Sequence, residues 1–454
     1  MAYNFRPYEE NQVYLMPPSI IEWVEEGSLA RFISDVVDHL EEQGNLSRFY
    51  EGYREDGWGH PAYHPRMLVK VLVYGYCKGV MSSRRIAQAL VENVEFRYLS
   101  ANQRPDFRTI SDFRKNHLAE LDGLFVEVLR LCQEAGLSKM GRVALDGRKV
   151  AGNAALEKNR RKESIEAEVR RILEEAERVD TEEDQRYGRS RRGDELPEGL
   201  RTKQDRLRRL REAGKRLEEA EQRARHEQEE KLSQREEDEK KTGKKKRGRK
   251  PKQPEEVVDK EAKANVTDPD SRILKTRKGW VQGYNGQAIA DCESQVIVAQ
   301  DVTQEENDVQ QLAPMLKSCE KQAGHRPDEL VADAGYWSED NAGLENEQTE
   351  LFIATRKEWK QRKALREKGP PRGRIRKDTS PKEMMERKLL TKRGRRVYRQ
   401  RGPTIEAVFG QMVMRGLTRF LLRGVEKVRA EWSMWCMTHN LLKLWRSGFA
   451  IQKG

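Results

Sequence analysis

Cysteine is scarce and unpaired in this chain of 454 residues. Cys77, Cys132, Cys292, Cys319 and Cys436 are scattered, odd in number and form no C-x-x-C pair. That argues against a disulfide framework or a cysteine zinc site, and it suits a reducing compartment. Long apolar runs are missing as well: no window approaches the ~18 apolar residues of a membrane span, and Met1 to Pro18 carries no apolar signal core. A soluble, intracellular protein without membrane contact is expected. Aromatics make up only 7% and hydrophobic residues 36%. The core must therefore be concentrated in part of the chain, with the rest exposed helix or unfolded. Charge is what the chain has in quantity: 36% of residues, with a net +12 that suits a polyanionic partner.

The chain is organised around Val143-Ala144-Leu145-Asp146-Gly147, a short apolar run that delivers one carboxylate and is read as a strand turning on its glycine. The pattern returns at Leu330-Val331-Ala332-Asp333-Ala334-Gly335. Before the first copy, residues 1–140 form an all-helical N-terminal domain. Ser28 caps a helix through Leu29, Phe32, Ile33, Val36, Val37 and Leu40; His64-Pro65 opens another from Met67 to Tyr76; Ser82 to Leu90 gives a third; and Arg108 to Arg114 mixes a capping residue with basic side chains and an aromatic ahead of a final helix from Leu118 to Cys132. Arginines at helix starts, Arg84 and Arg85 among them, fit either a DNA-binding helix-turn-helix or a packing domain with solvated charges.

After a first strand at 141–155 the composition changes. Residues 156–264 read as a long charged helical insertion. Ile165, Val169, Ile172, Ala176 and Val179, and again Leu210, Ala213, Leu217, Ala220 and Ala224, recur at threes and fours. Two helices with narrow apolar seams, paired as an antiparallel hairpin across Tyr187 to Gly199, are expected. They are either a solvated arm or a surface for DNA or a second copy. Lys241 to Lys252 holds eight basic residues and no acid, including Lys246, Arg247, Arg249 and Lys250. Such a block binds polyanions, and Arg247 to Pro251 resembles an AT-hook lying along a minor groove.

Residues 265–454 resume a mixed α/β pattern. Strands are predicted at Trp280 to Asp291 and Gln295 to Asp301, then a helix led by Asp308, the Asp333 strand, a strand at Leu351 to Ala354, a helix beginning near Pro403 with Glu406 at the edge of its apolar face, and a closing helix from Trp432 to Trp445. Asp268 and Asp270 flank Pro269 and shape a turn, while Glu339 and Asp340 suit a helix's first turn. Acids on the first and fourth strands and on a later helix match an α/β RNase H-like catalytic domain, a mixed sheet flanked by helices. Asp146, Asp333 and Glu406 would then meet. Three carboxylates suit a pair of divalent ions, Mg²⁺ or Mn²⁺, that cut a phosphodiester.

The sequence resembles an insertion-sequence transposase of the DDE superfamily, in the branch with a tyrosine-arginine-glutamate signature around its third acid. The matching blocks are Ala144 to Gly147, Asn265 to Asp270, Gly283-Tyr284-Asn285-Gly286-Gln287, Asp333 to Tyr336, Tyr398 to Arg401 through Glu406 to Gly410, and His439 to Leu442. The resemblance implies that Asp146, Asp333 and Glu406 bind the metals and that Tyr398 and Arg401 hold phosphate oxygens. It further implies cleavage of transposon ends and transfer of the 3′-hydroxyl into target DNA by a homodimer or larger oligomer on double-stranded DNA, in a cytoplasmic, nucleoid-associated protein. Arg401 stands five residues before Glu406, one more than the Y-x2-R-x3-E spacing, and Val413 holds the basic position that follows the glutamate. The alternatives are a non-catalytic DNA-binding scaffold, an inactive relic, or a general RNase H-like nuclease.

Overall fold

Short polar side chains start the N-terminal helices. In the computed structural model, which describes residues 19–53, 61–172, 174, 198–242, 253–254, 262–276, 279–370, 372–373, 375–376 and 378–451, Ser28 accepts from the Arg31 backbone N–H at the head of α1 (Leu29–Glu42). Pro65 opens α2 (Pro65–Lys78), which ends on Gly79 at φ 75°. Then come α3 (Ser83–Glu92), α4 (Val94–Leu99) capped by Asn93, α5 (Phe107–Asn116) capped by Asp106, and α6 (Leu118–Glu134). Each cap satisfies backbone donors that the first turn leaves open.

The strands are β1 (Arg142–Ala151), β2 (Asn159–Arg161), β3 (Lys263–Asn265), β4 (Arg272–Thr276), β5 (Gly279–Asp291), β6 (Ile297–Thr303), β7 (Glu329–Ala332) and β8 (Glu350–Ile353). Six of them make a mixed sheet in the order β4-β5-β1-β7-β8, with β6 also on β5; β2 and β3 pair separately. β1 runs antiparallel to β5 and parallel to β7, with Asp146 opposite Ala288 and Ala144 opposite Val331. Asp146 lies two residues beyond Ala144 and Asp333 two beyond Val331. Parallel register with a period of two therefore brings both acids to the same level and face.

The helix Val425–Arg446 joins the two halves. Its Trp432, Trp435, Met434, Met437, Leu441 and Leu444 are all buried, and one continuous apolar core runs from α1 through the sheet. Tyr76 meets Trp435 edge to face. Asn440 substitutes for a strand neighbour: its side chain accepts from the Ile297 N–H and donates to the Ile297 carbonyl, both at 2.8 Å. Trp432 lies against Gly286, where a Cβ would sit 3.0 Å from the indole, and donates Nε1–H to the Gln287 carbonyl.

The charged insertion contains a 45-residue helix, Glu198–Thr242, and a shorter helical stretch at 162–172. Ile165 and Ile172 pack with Leu210, Ala213 and Leu217, while Arg206 pairs with Glu168 and Lys162 with Glu218 and Glu221. Residues that rise along one stretch meet residues that fall along the other, so the two seams run antiparallel as expected. Ala176, Val179, most of the Tyr187 to Gly199 connection and Gly243 to Lys252, with Lys246, Arg247, Arg249 and Lys250, lie outside the described residues.

Three expectations need correction. β1 does not turn at Gly147; it runs on to Ala151, with Gly147 paired to Gln287 in mid-strand. An additional strand, β4, pairs with the first part of β5. Helix does not begin at Pro403 either. It runs from Lys392 to Arg399, resumes at Arg401 after a turn at Gln400, widens into a π turn over Gly402–Glu406 and continues as Ala407–Met414. Asp268 and Asp270 do shape the turn expected of them. Asp268 accepts from the Tyr284 hydroxyl and the Gly424 N–H, and Asp270 takes the Val425 N–H at the head of the long closing helix.

Candidate active site

Asp146 projects from the centre of the sheet. Its Oδ1 accepts from the Gly147 N–H at 2.8 Å, and its Oδ2 takes the Arg401 guanidinium at 2.8 Å. Burial pushes the carboxyl up; Arg401 pulls it down and Asp333 pushes it up again, leaving it near 7 instead of the ordinary 3.8. Asp333 ends its strand as an extended cap, its Oδ1 accepting from the Gly335 N–H at 2.7 Å. Glu406 closes the π turn, half exposed, with Oε1 3.4 Å from the other end of the same Arg401 guanidinium.

Arg401 is thus the counter-cation of the site. It is 4% exposed. Burial works against its charge, but Asp146, Tyr398 and Asp333 outweigh that and hold the guanidinium above its ordinary value. In an α-helix, residues four apart share a face; a π turn shifts that to five. The widened turn therefore lets Arg401 and Glu406 meet although one extra residue separates them. Tyr398, buried one turn earlier, completes this side of the site.

Beside Glu406 opens a cavity of about 1030 Å³ whose walls include Arg366, Arg395, Tyr398, Arg399, Arg401 and Pro403. Four arginines around one carboxylate form a surface suited to phosphate oxygens. Arg84 and Arg85, by contrast, are exposed at the start of α3, in the separate helical half. Arg84 and Arg108 both flank the exposed Phe107 ring, at 5.1 and 5.8 Å.

The donor set suits a hard divalent cation, since it consists of carboxylate oxygens held where a positive group already balances them. Among the described residues no three of His, Cys, Asp and Glu are drawn together as a ready metal set; the Arg401 guanidinium bridges Asp146 and Glu406.

Sequence reasoning did not identify the opposite wall. Asn285 and Gln287 donate side-chain N–H groups to Asp308 Oδ1, at 2.7 and 2.8 Å, and the buried Tyr336 hydroxyl donates to Gln287 Oε1. The signal was present in the blocks Gly283 to Gln287 and Asp333 to Tyr336, whose polar side chains had no stated use.

Comparison with known families agrees with this layout. A family model described as a transposase domain (DUF772) matches residues 18–116, which hold α1 to α5. A second, described as a transposase DDE domain, matches residues 360–445, which hold Tyr398, Arg401, Glu406 and most of the closing helix. No curated protein and no solved structure matches the chain. Two transposase modules in one chain, the second carrying the glutamate that shares a guanidinium with Asp146, make this protein an insertion-sequence transposase of the DDE superfamily.

Proposed function

We propose that this transposase cuts the ends of its element and joins the freed 3′-hydroxyl to target DNA, with Asp146, Asp333 and Glu406 as its catalytic carboxylates. One observation carries the reading: Asp146 and Glu406, far apart in the chain, converge on one buried guanidinium, and the sheet register brings Asp333 level with Asp146. The strand order, with an antiparallel β5 beside the central β1 and parallel β7 and β8 beyond it, supports an RNase H-like catalytic domain. That domain would comprise 141–155 and 265–454, with 156–264 as an insertion and 1–140 as a helical DNA-binding domain.

Two Mg²⁺ or Mn²⁺ ions held by these carboxylates would activate the attacking hydroxyl and stabilise the leaving oxygen of the phosphodiester. Asp146 must give up its proton to serve; burial and Asp333 hold that proton more tightly than usual, and Arg401 pulls against them. Glu406, half exposed at the cavity mouth, faces the side from which DNA would arrive. Tyr398 and Arg401 lie where a scissile phosphate would need donors, and Arg399 and Arg366 extend that surface along the backbone. The π turn supports membership in the tyrosine-arginine-glutamate branch, because it absorbs the extra residue in the spacing. Arg84 and Arg85, and the basic block of Lys246, Arg247, Arg249 and Lys250, would add phosphate contacts.

The test is a footprint and cleavage assay on candidate terminal repeats with Mg²⁺ and with Ca²⁺. Footprints with both ions and strand breaks with Mg²⁺ are expected. Cleavage without end preference or strand joining would instead indicate a general nuclease, and binding without breaks would indicate a scaffold.

A further inference from the structure

Two sequence stretches outside the three acids, Gly283 to Gln287 and Ala334 to Tyr336, meet around Asp308. The Asp308 carboxylate reaches into the sheet between two glycines. A Cβ on Gly147 would stand 2.6 Å from Asp308 Oδ1, and one on Gly335 would stand 3.5 Å from Asp308 Oδ2 and 2.9 Å from Asp333 Oδ1. Asp308 therefore fills space left free by two glycines, Gly147, which follows Asp146 in sequence, and Gly335, which stands two residues after Asp333.

Its two oxygens are used differently. Oδ1 receives the Asn285 and Gln287 amides, and Gln287 is fixed in turn by the Tyr336 hydroxyl. Oδ2 has no hydrogen-bond donor among the described residues and lies on the Asp333 side. Such support behind one oxygen, with the other left bare, is how ligating carboxylates are usually held. A second observation is independent of the acids. Asn285 is fully buried, and its Oδ1, 2.9 Å from the same Gly147 position, has no donor among the described residues. A buried acceptor left without a partner is destabilising, and a cation's hydration water is a donor that would relieve it.

We propose that Asp308 is a fourth carboxylate of the ion-binding site, offering Oδ2 beside Asp333, with Asn285, Gln287 and Tyr336 as the groups that aim it. This rests on the reading of Asp146, Asp333 and Glu406 as ion ligands.

The experiment is a Mn²⁺ titration of the full chain without DNA, followed by the electron paramagnetic resonance of the free ion. Asp308→Asn keeps an oxygen for the Asn285 and Gln287 amides and turns an N–H₂ toward Asp333, so it should weaken Mn²⁺ by roughly tenfold or more. Asp333→Asn should weaken it comparably, and Gln287→Ala less than Asp308→Asn. If Asp308→Asn binds within about twofold of wild type while Asp333→Asn is weakened, Asp308 is no ligand and the three-acid reading survives. If neither variant changes binding, both readings fall. A measurement on the unaltered chain guards against a variant that misfolds: Fe²⁺ with ascorbate and peroxide should cleave the backbone next to Asp308 as well as next to Asp146 and Asp333. Cuts confined to the latter two would overturn the proposal.

Discussion

Arg401 and Glu406 meet at 3.4 Å across five residues because the helix between them widens into a π turn. The same guanidinium holds Asp146 at 2.8 Å. One cation thus links a strand in the middle of the sheet to a helix that arrives some 260 residues later.

Removing the charge of either carboxylate should abolish cleavage and spare end binding. For Asp146→Asn and Glu406→Gln we expect strand breakage on terminal-repeat DNA to fall on the order of a thousandfold or more, with gel-shift affinity nearly unchanged. Lost binding in both variants would point to a structural role for the two acids.

The metal-free protein should lose stability as pH rises through neutrality. Asp146 titrates near 7 when folded and near 3.8 when free, so the folded state holds its proton more tightly. Its contribution is fully present below the free value and is lost as pH climbs through 7. Melting temperature measured without divalent ions should fall between pH 5 and 8, and Asp146→Asn should flatten that fall. Arg401→Gln removes the strongest downward pull on the carboxyl, so the decline should reach to higher pH, with a loss of about 3 kcal/mol at pH 8.

Gly147→Ala separates the site from the fold. The added methyl would crowd Gln287 Nε2, Asp308 Oδ1 and Asn285 Oδ1, the ends of side chains whose shared hydrogen bonds would have to shift while the backbone stays in place. Urea unfolding should therefore show only about 1 kcal/mol of destabilisation, while cleavage and Mn²⁺ binding drop sharply. A loss of stability with binding intact would contradict the close approach of Asp308.

Trp432 and Gly286 should prove coupled. Trp432→Ala removes a buried indole packed against Phe409 and Phe420 and should cost about 3–5 kcal/mol. Gly286→Ala alone pushes a methyl into that ring and should cost about 1–3 kcal/mol. In the double variant the second cost should vanish, which a double-mutant cycle in urea reads directly.

Local rules were enough for much of this architecture. Ser28 and Pro65 start helices where capping chemistry says they should, and the apolar runs before Asp146 and Asp333 are neighbouring strands. Gly147 misled because an Asp-Gly pair ordinarily signals a turn; here the glycine makes room for side chains from β5 and from Asp308, more than a hundred residues downstream, which no local pattern encodes. Pro403 misled for a related reason. Proline favours a helix's first turn, yet here it sits in a π turn in mid-helix, where Asp146 and Glu406 share the Arg401 guanidinium, a long-range contact that no local pattern encodes. Asp308 was legible as a helix lead-in, which it is, but its second occupation depends on amides about twenty residues upstream.

The order of the sheet also governs how the protein is born. β1 is synthesised before both of its neighbours, and its long partner β5 follows only after the entire charged arm has been made. At ~5–20 residues per second, the central strand waits on the order of ten seconds at the ribosome for its first ladder. A chain cut short just before Glu406 carries every strand of the sheet but lacks both that glutamate and the closing helix Val425–Arg446 that fills the shared core. Interrupted synthesis should therefore yield polypeptides with an open core that aggregate or are degraded, instead of folded fragments.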